Sequence, residues 1–76
     1  MIDVNLSEFQ RFADENGLIL DYEIDRCVVV YIRLIFSNPM TEHKYTYYVR
    51  QRDIENVKTH DITVQTIVNA VNKNLI

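Results

Sequence analysis

The sequence predicts a small α+β domain, in which helices cover one face of a three-stranded antiparallel sheet. The predicted order is a helix, three strands, a short helix and a final helix. Apolar residues recur every three or four positions near both ends of the chain and every second position in the middle. Turn-forming residues separate these segments. The 76 residues are the size of one domain, spanning residues 1–76.

The segment LSEFQRFA predicts the first helix. Asn5 followed three residues later by Glu8 is typical of a capping box, in which the two side chains bond to backbone N–H groups at the helix start. Asn16-Gly17 predicts the helix end, because glycine readily adopts the left-handed conformation after a last turn. The apolar stripe consists of Leu6, Phe9, Phe12 and Ala13.

Three strands are predicted in the middle of the chain, in LILDYEI, CVVVYIRLIF and KYTYYVR. Alternation places the even-numbered residues of the first two strands toward the helices, Tyr22 and Val28 among them. A three-residue loop then pairs Ile24 with Val28. In the second hairpin we expect Val30 opposite Val49, which also places Tyr31 opposite Tyr48.

The spacing of apolar residues changes again after Arg52, from every second position to every third or fourth. A short helical turn is predicted over residues 53–57, and Asp61 or Thr63 is expected to cap the last helix. The apolar side of that helix consists of Val64, Ile67, Val68, Val71 and Leu75.

The sheet face turned away from the helices is the candidate contact surface. It is expected to be acidic along the first strand, basic along the third, and apolar to aromatic between them. Contiguous apolar surface of this kind usually marks a contact with another molecule, and aromatic and arginine side chains are its usual energetic anchors. The candidate binding residues are Tyr31, Arg33, Lys44, Tyr48 and Arg50.

Charge is unevenly distributed along the chain, although its net value is only −3. Residues 1–25 contain seven acidic side chains and one arginine, whereas residues 26–52 contain five basic side chains and one acid. Such asymmetry bears on partners rather than on fold. The candidate acidic surface consists of Glu8, Asp14, Glu15, Asp21 and Glu23.

Signals for catalysis are poor, so we expect a non-enzymatic protein with no cofactor and no metal site. A single glycine excludes a glycine-rich phosphate loop. The lone Cys27 is expected to be a small buried apolar residue, and it excludes an internal disulfide framework. His43 and His60 are expected to be solvated loop side chains, because no second ligand lies at metal spacing.

Nucleic-acid binding is one alternative, since Tyr31, Arg33 and Tyr48 suggest a platform on which bases stack. The αβββα order resembles that of double-stranded RNA-binding domains. That family has a basic cluster at the start of its last helix, where THDITVQT has no lysine or arginine. A second alternative is an acidic inhibitor that mimics nucleic acid, since small phage-made inhibitors, some anti-CRISPR proteins among them, are similar in size and element order.

The leading hypothesis is a small protein-interaction domain of the phage or mobile-element accessory type. It docks a partner or forms a homodimer through its open sheet face, with the acidic edge of one copy against the basic edge of the other. If no partner exists, the face is simply solvated. The sequence has neither a membrane-spanning apolar run nor the pattern of a signal peptide, so we expect no membrane partner and a cytoplasmic location.

Overall fold

The computed structural model describes residues 6–76, and within them the predicted α+β fold and element order are confirmed. Three antiparallel strands form an open sheet in the order β1-β2-β3. Helices precede and follow the strands in the chain. The elements are α1 (Ser7–Glu15), β1 (Ile19–Arg26), β2 (Val30–Asn38), β3 (His43–Arg50), α2 (Gln51–Glu55) and α3 (His60–Leu75).

Helix α1 ends as the Asn16-Gly17 pair predicts. Gly17 has a φ of 68°, and its N–H donates to the carbonyl of Asp14 at 3.4 Å. The N–H of Leu18 reaches back to the carbonyl of Ala13 at 2.8 Å, which completes a Schellman motif. The predicted cap at Asn5 lies outside the described residues.

The first hairpin pairs residues in a register different from the predicted one. Ile24 lies opposite Ile32, whereas it was expected to lie opposite Val28. The last pair before the loop is Arg26 with Val30. The prediction was wrong because alternation determines only which face a side chain occupies. A shift by an even number of residues leaves every core face matched, so the pattern cannot distinguish between the two registers.

The second hairpin is also shifted by an even number of residues, in this case two. Val49 lies opposite Ile32 instead of Val30, and the predicted cross-strand pair of Tyr31 with Tyr48 is therefore wrong. Its turn depends on Asn38, whose Oδ1 accepts a hydrogen bond from the Met40 N–H at 3.0 Å. The Nδ2 of the same side chain donates to the carbonyl of Leu75 at 3.0 Å, which joins the end of β2 to the end of α3.

The register shift places Cys27, Val28 and Val29 in the loop between β1 and β2. Val28 was predicted to face the core, but it is fully exposed, at 104% of its reference surface. Cys27 is also exposed rather than buried, and its Sγ–H donates to the Asp25 carboxylate at 3.0 Å. That hydrogen bond and the charge of Asp25 raise the pKa of the Cys27 thiol.

The core lies between the helices and one face of the sheet. Phe36 of β2 is fully buried, and its ring meets that of Phe12 edge to face, with centroids 6.2 Å apart. Tyr22 shares the core side of the sheet but remains 57% exposed, because β1 is an edge strand that the helices cover only in part. The buried apolar residues are Phe9, Ala13, Leu18, Ile32, Leu34, Phe36, Val49, Ile54, Ile67, Val71 and Leu75.

Helix α3 begins earlier than predicted, so the expected caps at Asp61 and Thr63 are wrong. Its first residue is His60, and Thr59 occupies the N-cap position without a side-chain cap bond. The hydroxyl of Thr59 instead donates to the carbonyl of Asp53 at 2.8 Å. This bond ties the start of α3 to α2.

The alternation of β2 makes a direct prediction about stability. Replacing the fully buried Leu34 by alanine is expected to lower the free energy of unfolding by about 2–5 kcal/mol, because it removes core contacts and leaves a cavity. The matched change Ile35→Ala, on the opposite face, is expected to cost less than about 1.5 kcal/mol. Urea denaturation of a dilute sample measures both values. Equal losses for the two variants would contradict the assignment of faces.

Candidate functional site

The open face is the side of the sheet opposite the helices. It is formed by the residues that alternate with the buried set, so Tyr31, Arg33 and Ile35 of β2 belong to it. Their partners in the ladder share this face, because residues directly opposite each other project to the same side. We define the open face as Ile19, Asp21, Glu23, Asp25, Tyr31, Arg33, Ile35, Ser37, Lys44, Thr46, Tyr48 and Arg50.

These side chains form four rows that cross the sheet. Each row has one residue from each strand. Three rows begin with an acid on β1, and two end with a base on β3, so the charge gradient expected from the sequence runs across the strands. From β1 through β2 to β3, the rows are Asp25–Tyr31–Arg50, Glu23–Arg33–Tyr48, Asp21–Ile35–Thr46 and Ile19–Ser37–Lys44.

The Glu23–Arg33 pair is an ion pair across β1 and β2. The two residues lie directly opposite each other, and a guanidinium NH2 group contacts a carboxylate oxygen. Both side chains are partly exposed, so the pair contributes about 0–1 kcal/mol to stability. The Nε of Arg33 is shielded from solvent and has no hydrogen-bond partner among residues 6–76. The pair therefore orients Arg33 and offsets much of its charge.

A shallow, solvent-open groove of about 420 Å³ brings together three of the five candidate binding residues, Tyr31, Arg33 and Tyr48. Tyr48 is 62% exposed on β3. Arg50 lies next to Tyr31 in the same row and lines an adjoining groove with Tyr31 and Tyr48. Lys44 lies apart from them, in the row at the other end of the sheet.

The candidate acidic residues are divided between the two sides of the sheet. Asp21 and Glu23 belong to the open face, whereas α1 packs on the core side through Phe9. On that helix, Asp14 accepts a hydrogen bond from the amide of Gln10 at 2.9 Å. Glu8 and Glu15 are exposed on the same helix. The five acids therefore do not share one face.

His60 is not the solvated loop residue that the sequence suggested. It is the first residue of α3 and is partly buried. Its Nδ1 lies 2.6 Å from the carbonyl of Ile54, and its Nε2 lies 2.6 Å from the Glu8 carboxylate. Nothing in the sequence links Glu8 to His60, because 52 positions separate them.

The position of His60 between two acceptors favours its charged form. Only the imidazolium donates from both ring nitrogens, and the Glu8 carboxylate stabilises it further. The hydrogen bond to Glu8 is the main cause that raises the pKa of His60, the Ile54 carbonyl adds to it, and burial opposes it. Through these two contacts, His60 connects α1 with α2 and α3.

Among residues 6–76, no three histidine, cysteine or acidic side chains come together in a way that holds a metal ion. In that same part of the chain, every helix is too short or too polar to cross a membrane.

The Glu8–His60 contact predicts a pH-dependent stability. A pKa that is raised on folding adds stability below the unfolded value of about 6.5, and this stability disappears as the pH rises through the folded value. Glu8→Gln should therefore destabilise the protein more at about pH 5.5 than at about pH 8.5, and it should lower the pKa of His60.

Urea denaturation at both pH values and an NMR titration of the His60 ring measure these effects. The matched control is Glu15→Gln, which makes the same charge change on the same helix without contacting His60. An identical response of the two variants would contradict the role of Glu8.

The comparisons with known proteins identify no relative. No family model matches the chain, and neither a curated protein nor a solved structure resembles it at a significant level. The chemistry of the open face is therefore the basis for a functional proposal.

Proposed function

We propose that this chain is a small non-enzymatic protein-interaction domain that binds another protein surface through its open face. Within residues 6–76, the helices bury one side of the sheet and leave the other side open. Tyrosine, arginine and isoleucine occupy its centre, with acids along one edge and bases along the other. Protein interfaces use this combination of apolar anchors and a charged rim.

The observation that carries the proposal is the exposure of Tyr48 beside the paired Arg33. Tyr48 is 62% exposed although it lies on a regular strand, and it lies directly opposite Arg33. Glu23 holds the arginine in place, so little side-chain freedom is lost when a partner binds. Tyrosine and arginine are the side chains most often found at the energetic centre of an interface.

The charge pattern favours a protein partner over nucleic acid. Phosphate binding depends mainly on unpaired positive charge, but Glu23 offsets the charge of Arg33. Two further acids, Asp21 and Asp25, lie on the same face. A protein surface with its own acidic and basic groups complements both edges of this face, whereas a polyanion complements only one.

Photocrosslinking tests this proposal with a matched pair of positions. Tyr48 and Tyr22 are both exposed strand tyrosines, at 62% and 57%, but they lie on opposite sides of the sheet. Each is replaced in turn by the photoreactive p-benzoylphenylalanine, and the chain is irradiated both in purified form and in cells that carry its gene. We expect protein adducts mainly from position 48. Equal yields from the two positions, or none from position 48, would contradict the proposal.

A further inference from the structure

We propose that the open face binds a second copy of this chain, with the two-fold axis parallel to the strands. This inference rests on the proposed function and specifies the partner and its orientation. Sheets that pack face to face keep their strand directions within about 30° of each other. Two simple two-fold arrangements of the open face meet this condition, with the axis in the interface plane and either parallel or perpendicular to the strands.

The charges of the open face distinguish between these two arrangements. An axis parallel to the strands reverses the strand order across the interface, so β1 of one copy lies over β3 of the other. Asp25 then faces Arg50 of the second copy, and this contact occurs twice. An axis perpendicular to the strands places β1 over β1, which brings the acids of one copy against those of the other. Like charges at an interface are strongly unfavourable, so electrostatics favour the parallel axis.

The same rotation matches the central strand with itself. It preserves position along the strands, so Tyr31 of one copy contacts Tyr31 of the other, and Ile35 likewise contacts Ile35. Aromatic side chains therefore pack against aromatic ones, and apolar side chains against apolar ones. Arg33 also meets Arg33, but each guanidinium is already paired with Glu23 of its own chain. The intrachain ion pair therefore removes much of the repulsion that would otherwise oppose this arrangement.

The size of the face predicts a weak pair. Three strands about 4.8 Å apart and about 27 Å long make a face of roughly 400 Å² per copy. This falls below the roughly 800 Å² per partner of a standard stable interface. The pair is therefore expected to be concentration-dependent, with monomers dominating in dilute solution and dimers in concentrated solution.

The loop between β1 and β2 reports on the orientation, because it contains the chain's single cysteine. Cys27 is exposed, and the apolar side chains of Val28 and Val29 beside it are exposed as well. A parallel axis brings the two loops to the same end of the pair, separated by little more than the spacing of about 10 Å between stacked sheets. A perpendicular axis places them at opposite ends, at least about 27 Å apart.

Two measurements on the full chain test the pair. Sedimentation of the unmodified protein at up to about 1 mM measures its molar mass, and pulsed electron paramagnetic resonance measures the distance between nitroxide labels on Cys27. We expect a concentration-dependent dimer whose labels are less than about 20 Å apart. A dimer with labels more than about 30 Å apart would overturn the orientation.

If the protein is a monomer at every concentration, the proposal that its partner is a second copy is wrong. Adducts from position 48 with a different protein would in that case leave the proposed function standing. Failure of both experiments would reject the interaction role itself.

Mixing two charge-reversal variants tests the contact between Asp25 and Arg50. Asp25→Arg and Arg50→Asp each place like charges together twice in a homodimer, so each is expected to weaken dimerisation about tenfold or more. An equimolar mixture of the two restores both contacts and should regain the wild-type dissociation constant. Circular dichroism checks that both variants fold. Recovery supports the parallel axis, and absence of recovery between folded variants overturns it.

Discussion

The structure depends on the burial of alternate residues in the central strand β2. Ile32, Leu34 and Phe36 are fully buried beneath the helices, while the residues between them project to the opposite side. A strand alternates its side chains with a period of two, so packing the helices on one face leaves a complete second face. In the part of the chain that the structure describes, the helices cover one side of the sheet. The open face is therefore a direct consequence of the way in which the core is built.

Contacts distant in sequence position the helices on this sheet. Phe12 meets Phe36 edge to face, and the Asn38 side chain joins the end of β2 to the end of α3. His60 connects α1 with α2 and α3 through its two ring nitrogens. A domain of this size has a small core, so polar links between its elements add to a narrow margin of stability. The link through His60 is pH-dependent because the imidazolium is the form that donates to both acceptors.

The chemistry of the open face depends on how the strands are aligned, as well as on which residues they contain. Direct pairing of Arg33 with Glu23 holds the guanidinium in one orientation and offsets much of its charge. Placement of Asp25 and Arg50 at the two ends of one row produces a face that complements itself under a two-fold rotation. A shift by two residues would keep the same composition and would separate these partners, so the alignment determines which charged side chains share a row.

The sequence by itself determined the element order, the termination of α1 by the Asn16-Gly17 pair and the side of the sheet on which each strand residue lies, because periodicity and turn chemistry are local. It also identified Tyr31, Arg33, Tyr48 and Arg50 as members of one face. Only the tertiary structure decided the register, since even-numbered shifts satisfy the same alternation. That register exposed Val28 and Cys27. The contact between Glu8 and His60 likewise required the fold, because no local signal connects residues 52 positions apart.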